Sequence, residues 1–370
     1  MLSDYNYIII SISDIHFGAM DSQYMYNILL DQFINKISKL NFNILAICGD
    51  LFDSKYMSNN PIISYVLTFI DNLVQLCRSK NAALILLDGT QSHDNGQLKL
   101  FYHYLNDPSI DMYIIEQIQF ICVKNLRILC IPEKYNISED EYKNVLFNSG
   151  MYDMCLLHGT YNGSFKGSEI PTLNDRVPIF SMDSFSNCVG PILMGHYHIS
   201  GCYDKYAYYN GSPLRWKFGE ENQKGFLITL YNSYNRWHYT ELVPIISKSY
   251  ITININDLLN NDPREIIEYI KNYKLSHNID YIRIQFNSPN ENINLVRSYF
   301  RTDQTVILQE LNREQKAIEE INQNIQEQQS QYSYITDSNI NEYTKFVMYM
   351  NQCENNSDFI TVDELMSLLS

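Results

Sequence analysis

The chain has 370 residues, 45% of them hydrophobic, with 27 Lys plus Arg against 42 Asp plus Glu and a net charge of −15. That length supports one large core with a smaller unit beside it. The charge excludes a bulk electrostatic binder of nucleic acid, but it suits a site for divalent cations or a partner that brings the basic surface.

In chain order, the opening "MLSDYNYIIISISD" has no basic segment ahead of its apolar run, so it reads as a strand and not a signal peptide. Buried strands are expected at 7–13, 43–49, 83–89, 118–123, 126–132, 152–159 and 188–196, and amphipathic helices at 22–40, 61–80, 97–105 and 138–148. "KYAYYNGS" and "GFLITLYNSYNRWHYTEL" predict antiparallel strands and a hairpin. Residues 1–245 thus read as mixed α/β with helices covering the sheet layers. The order strand–helix–strand–helix–strand from 248 to 310 predicts a small α/β unit, bounded at 246–310. Residues 311–335 are polar and Gln-rich and read as a linker. Residues 336–370 hold two short amphipathic helices whose apolar faces need the main body or a partner to cover them. No apolar run is long enough to span a bilayer. The eight cysteines occur singly, several inside apolar runs and none in a C-x-x-C pair, the usage of a reduced, intracellular protein.

The chemistry gathers at the ends of predicted strands: "SDIHFG" (Asp14, His16), "CGDLFD" (Asp50, Asp53), "GTQSHD" (Ser92, His93, Asp94), "LLHGTY" (His158) and "MGHYH" (His196, His198). Loops after the carboxyl ends of strands are where open α/β folds build sites. Ser92, His93 and Asp94 are the residue types of a hydrolase triad, but consecutive side chains diverge and cannot form one. In "GHYH", alternate residues of an extended segment put both imidazoles on one side. A mixed carboxylate and imidazole set suits Mn²⁺, Fe²⁺ or Zn²⁺ over Ca²⁺. Asp14, His16, Asp50, His158, His196 and His198 are too many ligands for one hydrolytic ion with an open position, so two ions sharing Asp50 are the economical arrangement.

In this order the motifs resemble those of the calcineurin-like metallophosphoesterases, D-x-H, G-D-x-x-D, G-N-H-D, a lone H before G, and G-H-x-H, over about residues 8–243. The resemblance implies a four-layer α/β/β/α sandwich with a small α/β capping domain and a C-terminal helical tail. It implies one metal on Asp14, His16, Asp50 and His198, a second on Asp50, His158, His196 and the Asn of G-N-H-D, and His93 as the general acid. The chain departs from the pattern at that Asn. Ser92 stands directly before His93, and Thr90 and Gln91 lengthen the loop after Gly89. Ser92, through its hydroxyl or a bound water, is expected to replace the amide as a metal ligand, with Gln91 the alternative and a metal-deficient pseudo-enzyme the further consequence. Asp53 and Asp94 are expected to orient ligands from behind.

Within that family, "NGSPLRWKFGEENQKGFLITLY" (210–231) is similar to the segment after G-H-x-H in SbcD-type nucleases, and 248–310 to their capping domain. The terminal helix pair is similar to the one with which they grip the coiled-coil base of their ATPase partner. This resemblance, closest to versions carried by phages or other DNA viruses, implies a Mn²⁺-dependent exonuclease and endonuclease of double-strand-break repair and recombination. It further implies a homodimer, an SbcC-like ATPase bound through 336–370, no membrane and a cytoplasmic location. Arg215, Lys217 and Lys166 are candidates to meet DNA phosphate. Two rival readings are a stand-alone phosphatase on phosphoprotein or nucleotide and a catalytically weak scaffold for the ATPase.

Overall fold

The aliphatic runs 44–48 and 83–87 have no polar face, so strands built from them have to be covered on both sides. In the computed structural model, which describes residues 5–134, 139–148, 150–161, 179–204, 206–287 and 291–311, both are buried along their whole length. Among the described residues, fourteen strands form the body: β1 (Tyr7–Ile12), β2 (Ile44–Cys48), β3 (Ala83–Leu87), β4 (Asp111–Ile115), β5 (Gln119–Val123), β6 (Leu126–Ile131), β7 (Met154–His158), β8 (Thr160–Tyr161), β9 (Ile179–Phe180), β10 (Ile192–Gly195), β11 (Gly201–Asp204), β12 (Ala207–Tyr209), β13 (Gly225–Tyr231) and β14 (His238–Pro244). One six-stranded sheet has the order β14-β13-β1-β2-β3-β4, the other β11-β12-β10-β7-β6-β5, and β8 pairs with β9.

The two sheets lie face to face. Ile44, Ala46, Ile85 and Leu87 of the first share one apolar layer with Ile128, Met154, Leu156 and Leu193 of the second. On the outer face of the first sheet, Ile10, Leu45 and Leu84 meet helix residues Met25, Leu29, Val66, Phe69 and Leu73. On the outer face of the second, Leu129, Cys155 and Ile192 meet Tyr142 and Leu146. The architecture is a mixed α/β sandwich, helix–sheet–sheet–helix.

The helix Pro61–Lys80 shows how the sequence writes such a layer. The Asn60 side chain accepts from the Ile62 amide at its start, Pro61 needs no donor there, and Asn81, at φ 51°, ends it in the left-handed conformation. Its buried residues, Ile63, Val66, Phe69, Ile70, Leu73, Val74 and Cys77, recur every three or four positions. The helix expected over 22–40 runs as Ser22–Leu29, a π-helical segment Leu30–Ile34 and Asn35–Ile37, and that expected at 97–105 is a 3₁₀ helix, Gln97–Asn106. Strand β4, half-buried at the sheet edge, lacks the continuous apolar run that marks its neighbours.

The chain divides into two compact units, and the sandwich and its site belong to the first. A separate sheet, ordered β15 (Tyr250–Asn254), β16 (Tyr281–Phe286), β17 (Val306–Glu310), is joined by the helices Pro263–Ser276 and Glu291–Phe300. The expected linker 311–335 beyond Leu311, the helix pair 336–370 and Lys166 lie outside the described residues. No described helix is long and apolar enough to cross a membrane.

Candidate functional site: a buried histidine–carboxylate centre

Strands β1, β2 and β3 run parallel in one sheet, and β6, β7 and β10 in the other. Parallel strands deliver their carboxyl ends to one sheet edge, so the loops after them converge. The Asp14 amide donates to the Gly49 carbonyl and the His16 amide to the Asp50 carbonyl, both at 3.0 Å, which ties the first two loops together. Asp14 (φ 51°), His16 (51°), Asp50 (52°) and His196 (109°) all take left-handed backbone conformations. Non-glycine residues held there cost on the order of 1–3 kcal/mol each and concentrate at functional sites.

One group consists of Asp14, His16 and His198, whose ligand-type atoms lie within 4.8 Å of one another. The Asp14 carboxylate is fully buried and accepts from the Ser13 hydroxyl and, at 3.0 Å, from the His196 amide. Glu220 Oε1 sits 2.9 Å from His198 Nδ1 and fixes that ring, a carboxylate–histidine arrangement typical of metal ligands. His16 is 3% exposed, and neither of its ring nitrogens has a hydrogen-bond partner among the described residues. Its nearest carboxylate oxygens, Asp50 Oδ2 and Asp53 Oδ1, are both 3.6 Å away.

A second group gathers around His158. Its Nδ1–H donates to the Cys48 carbonyl at 2.7 Å, and its Nε2 lies 3.3 Å from Asp50 Oδ2 and 3.9 Å from Glu133 Oε2. Glu133 Oε2 is also 3.0 Å from His196 Nδ1. Asp50 Oδ2 therefore faces histidines of both groups. Burial alone would raise Asp50, but His158 and His16 hold its carboxyl well below the usual range. Burial would lower His158, yet Asp50, Asp14 and Glu133 hold it well above an ordinary imidazole. Three buried carboxylates, several imidazoles and two orphaned ring nitrogens make a donor set that fits divalent cations.

The residues expected from the sequence divide. Asp14, His16, Asp50, His158, His196 and His198 come together as above. His93 is half-buried, its Nδ1 on the Asp53 carbonyl oxygen and its ring 4.6 Å from that of His16. Asp53 flanks His16, whose imidazole lowers its carboxyl pKa against the effect of burial. The Asp94 carboxylate is taken up by backbone amides. It accepts from the Asp50 and Phe52 amides, each at 3.0 Å, and from the Gly89 amide at 2.8 Å, which holds the Asp50 loop in place.

The departure in the third motif resolves differently from the expectation. Ser92 and Gln91 are both exposed, whereas Thr90 is buried against the centre. The Thr90 amide donates to Asp50 Oδ1 at 2.6 Å, and its hydroxyl lies 3.2 Å from Glu133 Oε2 and 3.3 Å from His158 Nε2. The physical reason is that the chain turns directly after Thr90, the His93 and Asp94 amides both donating to its carbonyl, so the added length projects outward. Arg215 donates to the Glu221 carbonyl at 3.3 Å. Lys217 and Trp216 instead wall the cavity of about 260 Å³ that opens over Asp50, Thr90 and His93.

Sequence reasoning missed Glu133 and Glu220. Glu133 follows strand β6 in "CIPEK", and its strand-end position is the signal shared with the other site residues. Glu220 carries no comparable signal.

No family model matches the chain. It is 23% identical over 239 residues, 60% of this chain and 76% of the other, to the protein named "Putative phosphoesterase 244L" of Invertebrate iridescent virus 6. A solved structure aligns with 64% of this chain and 98% of its own at 9% identity and a TM-score of 0.39, a similarity that decides nothing about function.

Proposed function

We propose that this chain is a two-metal phosphoesterase that hydrolyses phosphodiester bonds in DNA, the nuclease subunit of an SbcC–SbcD-like repair and recombination complex. The observation that carries the reading is the Asp50 carboxylate, whose Oδ2 lies 3.6 Å from His16 Nε2 and 3.3 Å from His158 Nε2 and so can serve two neighbouring cation sites. The motif order and the name of the iridescent virus relative support it.

Asp14, His16, Asp50 and His198 would hold one ion, and Asp50, His158 and His196 the other. Divalent ions, Mn²⁺ the best matched to this donor set, would supply Lewis acidity and a hydroxide at neutral pH. The chain's own residues do the rest. His93, anchored through Nδ1 on the Asp53 carbonyl, stands at the cavity and gives its proton to the leaving oxygen. Lys217 supplies positive charge at the cavity wall for the substrate phosphate, and Trp216 offers a ring beside it. A homodimer and a coiled-coil ATPase held through 336–370 belong to the same proposal.

The test is cleavage of end-labelled linear DNA by the full chain in Mn²⁺, beside p-nitrophenyl phosphate as a monoester. Shortening of the DNA that EDTA abolishes is the expected result. Monoester turnover with intact DNA, with and without the ATPase partner, would replace the nuclease reading with the phosphatase. Turnover of neither would leave the scaffold.

A further inference from the structure

We propose that Glu133 is a ligand of the second cation, occupying with a carboxylate the place for which the third motif supplies no amide. The inference rests on the two-metal reading above and adds a residue that the family pattern does not contain.

The geometry is specific. Glu133 is 4% exposed, and its Oε2 lies 3.0 Å from His196 Nδ1, 3.9 Å from His158 Nε2 and 3.2 Å from the Thr90 hydroxyl. Glu133, His158 and His196 offer ligand atoms all within 4.8 Å of one another. A buried carboxylate is costly unless something of opposite charge accompanies it. The basic residue next to it in the chain does not serve, because Lys134 turns to Asp88 at 2.9 Å. Its ion-pair partners among the described residues are the two imidazoles, themselves metal-ligand types.

The topology explains how it arrives there. Strands β6 and β7 are parallel neighbours, with Ile131 opposite Leu157, so a residue just past β6 leaves the sheet beside His158. Thr90 meanwhile holds both carboxylates, its amide on Asp50 and its hydroxyl within reach of Glu133. Thr90 is then a positioning residue, and Ser92, exposed, has no part in the centre.

A carboxylate where an amide would be neutral puts a third negative charge in the centre, beside Asp14 and Asp50. Hard, oxygen-preferring ions gain most from that exchange.

The experiment counts metal. The full chain is stripped with chelator and titrated with Mn²⁺, bound ions per chain are measured by elemental analysis, and electron paramagnetic resonance reports whether two ions are close enough to couple. The wild type is expected to bind two coupled ions. Glu133→Gln, which keeps the volume and removes the charge, is expected to keep one and to bind the second at least about tenfold more weakly, the scale on which residues even behind metal ligands act. Lys134→Ala disturbs the same loop without touching an imidazole and is expected to keep both.

Two coupled ions in Glu133→Gln at wild-type affinity would overturn the assignment, as would an equal loss in Lys134→Ala. Should Glu133→Gln fail to fold by circular dichroism, Glu133→Asp takes its place, with unchanged second-ion affinity again the overturning result. A wild type that binds fewer than two ions overturns the two-metal reading itself, a distinct outcome.

Discussion

His158 donates its Nδ1–H to the Cys48 carbonyl oxygen at 2.7 Å, and this one bond aims its Nε2 at Asp50. The bond has room because Gly195, beside it, carries no side chain. A methyl group built on Gly195 would stand 2.1 Å from the Cys48 carbonyl and 2.8 Å from His158 Nδ1. Gly195→Ala is therefore expected to destabilise the chain by about 1–3 kcal/mol, the usual cost of overpacking. Urea unfolding checks it, with a midpoint equal to wild type as the contrary result.

His93→Ala is expected to lower turnover by about 10²- to 10⁴-fold, the contribution of a positioned general acid. Bound Mn²⁺ per chain should stay the same, because Nδ1 of the ring is anchored on a backbone carbonyl. Loss of metal in this variant would reassign His93 as a ligand.

Asp50 Oδ2 faces histidines of both groups, so Asp50→Asn should weaken both. Mn²⁺ at a hundredfold excess over its dissociation constant stabilises a protein by about 2.7 kcal/mol per site. Differential scanning fluorimetry should show that rise in the wild type and almost none in Asp50→Asn. An equal rise in both would place the cations elsewhere.

Glu220 makes a pH prediction. Burial would raise its carboxyl, but His198 and Lys224 hold it below its ordinary value of 4.5. A carboxyl lowered on folding contributes stability that is present above 4.5 and fades as pH falls through the folded value. Unfolding measured from pH 7 down to 3 should show that loss in the wild type and a flatter profile in Glu220→Gln. At neutral pH the variant should lose about 1.5–3 kcal/mol, because it gives up the charged acceptor 2.9 Å from His198 Nδ1.

The alternation of apolar strands and polar strand ends made a mixed α/β body with helix-covered sheets legible, with Asp14, Asp50, His158 and His196 at strand ends, while the sandwich itself was implied by the family resemblance. Two things were not legible. Which residue of "GTQSHD" faces Asp50 depends on where the loop turns, and spacing alone does not tell whether extra residues are absorbed before or after Thr90. Glu133 stands in an unremarkable "PEK", and only the pairing of β6 with β7 brings it to His158.

Asp14, His16, Asp50 and His196 give the chain a further property. Glycine would adopt their left-handed backbone without strain, so the backbone conformation itself gains nothing from the side chains present. His16 is the plainest case, a buried imidazole with no hydrogen bond among the described residues to reward it. On the proposed two-metal reading, these four positions trade heat resistance for chemistry. A library selected for thermal survival, with no demand for activity, should drift there before it drifts in the strands.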